Sequence, residues 1–73
     1  MIRFSGAALR AARMAAGWTQ ESLCRRLKRH GLEILPRTLR RYEAGECEPR
    51  VSRALQISQA LGVPLEDLTQ TTP

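Results

Sequence analysis

The chain is short of aromatic residues, cysteine and lysine, and each shortage removes a class of answer. Phe4, Trp18 and Tyr42 are the three aromatics in 73 residues. A core without more of them must be built from Leu, Ile, Val and Ala, which favours helices set close together and argues against a β-barrel. Two cysteines, Cys24 and Cys47, are too few for a disulfide framework, and with His30 they fall one ligand short of a four-coordinate zinc site. Both are expected as free thiols, Cys24 as packing, and neither a metal nor a cofactor is expected. No apolar run approaches the roughly 18 residues that a membrane span requires. Met1 to Phe4 lacks the apolar segment of a secretion signal, so a cytoplasmic location is expected. Paired carboxylates, a Cys/His dyad and a Gly-rich phosphate loop are also missing. An enzyme is therefore not expected, nor is a small-molecule ligand.

Positive charge, by contrast, is plentiful and concentrated. Net charge is +5, and all but one of the twelve basic residues are arginine. Between Arg25 and Arg41 there are seven basic residues and one acid, Glu33, a local +6. From Tyr42 onward, five acids outweigh Arg50 and Arg53 to give −3, while the first 24 residues contribute +2. Charge focused in this way suits a polyanion. Arginine adds a planar fork that grips phosphate or a guanine edge with two hydrogen bonds.

Helix signals account for most of the chain, and a single 73-residue domain of five helices is expected, at about 6–16, 20–30, 36–44, 50–61 and 64–69. Ser5 is a good N-cap for the alanine-rich first segment, in which Leu9, Ala12 and Ala16 share a face with Arg13 at its edge. Gly17 ends that helix. Thr19 caps the next, with Trp18 before it and Leu23 at the fourth helical position, the arrangement of a hydrophobic staple. Leu23, Cys24 and Leu27 are expected inward, and Arg25, Arg26 and Arg29 outward as a solvated or long-range attractive face. The link from Gly31 to Leu35 carries Leu32 and Ile34 and is too apolar to be free. In the fourth helix Val51, Ala54, Leu55, Ser58 and Leu61 are expected inward, and the tail from Thr69 to Pro73 is expected to fray.

The third helix, Pro-Arg-Thr-Leu-Arg-Arg-Tyr-Glu-Ala ahead of Gly45, is the most distinctive stretch. At about 100° per residue, Leu39 and Tyr42 lie on one side while Arg37, Arg40 and Arg41 fan across the other. Its length, about 13 Å, suits a groove about 12 Å wide. Pro36 fits the first helical position, but Leu35 is a poor N-cap, which leaves the first-turn amides open to an outside acceptor such as a phosphate. Taken alone, three arginines on a helix face are also compatible with a merely solvated surface.

In sequence order, Leu9-Arg10, Arg13, Gly17-Trp18-Thr19-Gln20-Glu21, Leu23, Leu27 and the stretch from Thr38 to Gly45 resemble the lambda-repressor/Cro-like (xenobiotic-response-element type) helix-turn-helix DNA-binding proteins. Glu48-Pro49 and the run from Ala60 to Leu68 extend the resemblance, which spans Leu9 to Leu68. It implies an all-α DNA-binding domain. Arg37, Arg41 and Pro36 then correspond to base-reading positions with Arg40 close by, while Gln20, Thr38 and Arg50 correspond to phosphate-contacting ones. Arg13 and Glu43 correspond to a structural ion pair, in accord with a wheel that sets Glu43 about 70° from the Leu39/Tyr42 direction. Arginine in the major groove reads guanine, so at least one guanine per half-site is expected.

Three departures stand out. The family joins its second and third helices by a tight turn of about 3–4 residues, whereas Leu27 and Leu39 here are twelve positions apart, which lengthens the turn. Pro36 replaces a side chain that could hydrogen-bond a base, and Glu46 and Glu48 follow the third helix where a cation would suit DNA. The resemblance also implies a homodimer, with Pro49, Val51, Leu65 and Leu68 as the expected contact surface. The reading is thus a double-stranded DNA-binding transcriptional regulator, a dimeric repressor. Two alternatives are an antitoxin or restriction-control regulator with a protein partner, and a protein-interaction module whose basic face docks an acidic partner.

Overall fold

The Ser5 hydroxyl accepts a hydrogen bond from the Ala8 amide (3.1 Å) and so starts α1, Gly6–Ala15, in the computed structural model, which describes residues 2–71. The Thr19 hydroxyl does the same for the Ser22 amide (3.1 Å) at the head of α2, Gln20–Arg29. Trp18 packs against the core that fully buried Leu23 joins. α3 spans Pro36–Ala44 and α4 spans Val51–Leu61. The core is a cluster of leucines, with Leu9, Leu23, Leu27, Leu39, Ile57 and Leu68 sealed from solvent. Each contributes about 1.5–3 kcal/mol by leaving water.

The lengthened connection between α2 and α3 is ordered at its start. Gly31 takes a φ of 87° that only glycine adopts without strain, its amide donates to the Lys28 carbonyl, and the Leu32 amide returns to the Leu27 carbonyl (2.9 Å). This is a Schellman ending, and the apolar residue it places next, Leu32, is buried in the core. The inserted residues therefore form a pinned corner.

Several sequence expectations are corrected here. The fifth helix is a single 3-10 turn, Leu65–Leu68, so α-helices number four among the described residues. Part of the tail expected to fray, Thr69–Thr71, is a strand, β2, paired antiparallel with β1, Ile2–Phe4, in the register Ile2 to Thr71 and Phe4 to Thr69. Residues 72 and 73 lie outside the described residues. Three-residue strands carry no periodic signal. What brings them together is the Ser5 amide donating to the Leu68 carbonyl at 2.7 Å.

Of the five α4 residues expected inward, Ala54 and Ser58 are buried and Leu61 packs against the core, but Val51 and Leu55 face out. Val51 is 77% exposed and Leu55 45% exposed, while Ile57, Ala54, Ser58 and Ala60 are buried. Leu55 and Ile57 point in nearly opposite directions on a helix, so the pattern allowed either to face in. The small residues Ala54 and Ala60 line the buried face, where large side chains would hold the helices apart. Ala16, expected inward, is the exposed C-cap of α1.

Gly6 sets how closely α1 approaches α3. A Cβ there would overlap the Tyr42 carbonyl oxygen and come within 2.7 Å of the Glu43 carbonyl oxygen. The positive end of α1 thus abuts the negative end of α3, a favourable alignment of the two helix dipoles. Gly6→Ala is expected to lower the unfolding free energy by about 1–3 kcal/mol, because backbone must move to admit the methyl. Urea denaturation that gives an unchanged midpoint would show that the two helices are free to separate.

Candidate nucleic-acid interface

α3 is anchored by one side and displayed by the other. Leu39 and Tyr42 are buried in the core, while Arg37, Arg40 and Arg41 are exposed. Leu35 provides no side-chain cap, Pro36 holds the first helical position, and Gly45 closes the helix in the left-handed conformation. Thr38 is half-buried, and its amide donates to the Leu35 carbonyl (2.9 Å).

The angle of this helix is held by one polar knot. Arg13 Nε donates to Glu43 Oε2 at 2.7 Å and Arg13 Nη2 to Glu43 Oε1 at 3.1 Å, a bidentate pair. The remaining arm, Nη1, donates to the Trp18 carbonyl at 2.7 Å. Gln20 Nε2 adds a weaker bond to Glu43 Oε1 at 3.3 Å. The side chains of Arg13 and Glu43 are 12% and 5% exposed. α1, the turn into α2, the first residue of α2 and the end of α3 therefore meet at one ion pair. The hydrogen bond to Glu43 holds the Arg13 pKa above its ordinary value and outweighs the opposing effect of burial; the charges of Glu43 and Glu21 add to it.

Gln20 is half-buried, and its amide nitrogen is engaged with Glu43. Arg50 is exposed at the N-cap of α4, which has no side-chain cap, and shares a polar groove with Tyr42, Ser52 and Arg53. Arg53, counted in the charge balance but not expected at the interface, lies in the first turn of α4, three residues after Arg50. Its Nη1 donates to the Tyr42 hydroxyl at 3.0 Å, so the buried tyrosine of α3 steadies a cation on α4.

Four other side chains stand differently from expectation. Arg26 is more than a solvated cation: its Nε donates to the Ala60 carbonyl at 3.0 Å, and its guanidinium lies 4.8 Å from the centre of the Trp18 ring. It fastens the end of α4 to α2 through a contact that no local pattern announces. Glu48 pairs with Arg3 at 2.9 Å across exposed surface, a contact worth about 0–1 kcal/mol. Of the expected dimer residues, Leu68 is fully buried in the monomer core and Pro49 is also buried, so neither offers a surface to a second chain. Val51 remains exposed and Leu65 half-exposed.

No cluster of three or more His, Cys, Asp or Glu able to hold a metal occurs among the described residues. Among the same residues, no helix is long and apolar enough to cross a membrane.

Two measurements probe this frame. Glu43→Ala strands a buried guanidinium and is expected to cost on the order of 3 kcal/mol in urea unfolding; an unchanged midpoint would mean that the pair contributes nothing. Burial pushes the Cys24 thiol above its ordinary pKa, with Glu21 and Glu43 adding to the effect, while Cys47 is exposed. Iodoacetamide is therefore expected to modify Cys47 alone in the native protein and both thiols in denaturant; native labelling of Cys24 would contradict the packing described.

A family profile described as helix-turn-helix matches residues 9–68. No curated protein and no solved structure matches the chain. The matched segment takes in the buried anchors of α3, the knot at Glu43 and the exposed arginines, and the chain belongs to the lambda-repressor/Cro-like helix-turn-helix family of DNA-binding domains.

Proposed function

We propose that this protein is a sequence-specific transcriptional repressor that binds double-stranded DNA as a homodimer and inserts α3 into the major groove. The observation that carries this reading is the division of α3 between a buried side, Leu39 and Tyr42, and an exposed side bearing Arg37, Arg40 and Arg41. Arg37 and Arg41 are one helical turn apart and can point down a single groove, each able to grip guanine O6 and N7. Arg40 serves the neighbouring phosphates or base edges. Gln20, Thr38 and Arg50 supply backbone contacts, with Gln20 held in place by Glu43.

Dimerisation follows from arithmetic. One short helix reads only a few base pairs, and two copies with half-sites about 34 Å apart multiply that discrimination. Val51 and Leu65, which line one recess, are the expected contact residues left accessible. Repression needs only occupancy: a dimer seated across a promoter excludes other proteins from it.

Selection of bound duplexes from a random pool tests the reading. The wild-type protein is expected to enrich two-fold symmetric sites with at least one guanine per half-site. Arg37→Ala and Arg41→Ala are each expected to relax preference at one base position, at about 1–3 kcal/mol. If neither variant changes any position, the reading face is elsewhere.

A further inference from the structure

Leu35 and Pro36 open the proposed reading helix, and neither offers a hydrogen bond to a base. Leu35 is 55% exposed, one of the few large apolar side chains left in water. With Ile34, Pro36 and Cys24 it lines a shallow, mainly apolar recess beside the N-terminal end of α3. Arg25 and Lys28 border that recess, and Arg37 follows it in sequence, all three exposed. Glu21 and Glu33 border it too, so the recess itself is no anion site. An occupant that suits both features is an uncharged apolar group carried on a polyanion. In the major groove of DNA, the apolar feature of a base edge is the 5-methyl of thymine.

We infer that Leu35, backed by Pro36, is a specificity-determining contact that reads a thymine 5-methyl at the end of each half-site. The inference rests on the proposed insertion of α3 into the major groove and assigns a base identity to the end of the helix that lacks polar readers. The residues at the helix entrance select by shape and hydrophobic burial, and Arg37 and Arg41 farther along the helix select by hydrogen bonding.

The test takes the duplexes enriched by the wild-type protein and replaces each thymine in turn by deoxyuridine, which removes the methyl and leaves every hydrogen-bonding group in place. One substitution per half-site is expected to weaken wild-type binding about four-fold, the worth of one buried methyl. Leu35→Ala is expected to bind the thymine and uracil duplexes equally, while Leu35→Met keeps the preference. Equal wild-type affinity at every thymine, or discrimination that survives Leu35→Ala, would overturn the inference and leave the arginine contacts standing. A wild-type protein that binds no duplex in a salt-dependent way would instead remove the DNA reading itself, and this inference with it. The uracil scan uses only the wild-type chain, so it decides the matter even if Leu35→Ala fails to fold.

Discussion

The bidentate contact between Arg13 and Glu43 is the interaction on which the rest of the architecture depends. A guanidinium and a carboxylate taken out of water lose several kcal/mol each unless geometry and further hydrogen bonds compensate. Here the three nitrogens of Arg13 all have partners, two at Glu43 and one at the Trp18 carbonyl. Such a site tolerates little displacement. It therefore sets the separation of α1 and α3 and, through Trp18 and Gln20, the point from which α2 departs.

Around that knot, packing supplies the force and polar contacts supply the aim. Buried leucines from α1, α2 and α3, Ile57 and Ala60 from α4 and Leu68 from the final turn form one apolar cluster, against which Leu61 packs. Gly6 lets α1 come within backbone contact of the end of α3. Arg26 ties the end of α4 to α2, and Arg53 on α4 leans on the hydroxyl of Tyr42. The consequence is a base from which the basic side of α3 projects into solvent. Polar groups do the aligning because an apolar core of leucines admits several nearly equivalent packings, whereas an unpaired buried charge admits none.

How much of this was legible in the sequence depended on whether the signal was local. The capping of α2 by Thr19, its buried triplet Leu23, Cys24 and Leu27, and the two-sided character of α3 are all set by spacings of three and four residues, which is the helix period itself. The phase of α4 was ambiguous because Leu55 and Ile57 mark opposite faces. Only the placement of α4 against its neighbours turned Ile57 inward and left Leu55 exposed. The pairing of β1 with β2 and the hook of Arg26 on Ala60 join residues far apart in the chain, and no local pattern encodes them. Leu68 shows the same limit: an apolar residue near the chain end reads equally as core or as contact surface until the turn that carries it is placed.

By itself, then, the sequence determined the four α-helices, the Ser5 and Thr19 caps of the first two, the concentration of positive charge between Arg25 and Arg41, and the side of α3 that would carry it. Helix periodicity and capping are properties of a few consecutive residues, so they need no knowledge of the rest. Tertiary structure alone decided which apolar side chains were spent on the core, that Arg26 and Arg53 join Arg13 in holding helices together, and how the long corner after α2 was pinned. Those outcomes depend on competition among distant groups for the same buried space, and that competition is resolved only when the whole chain has closed.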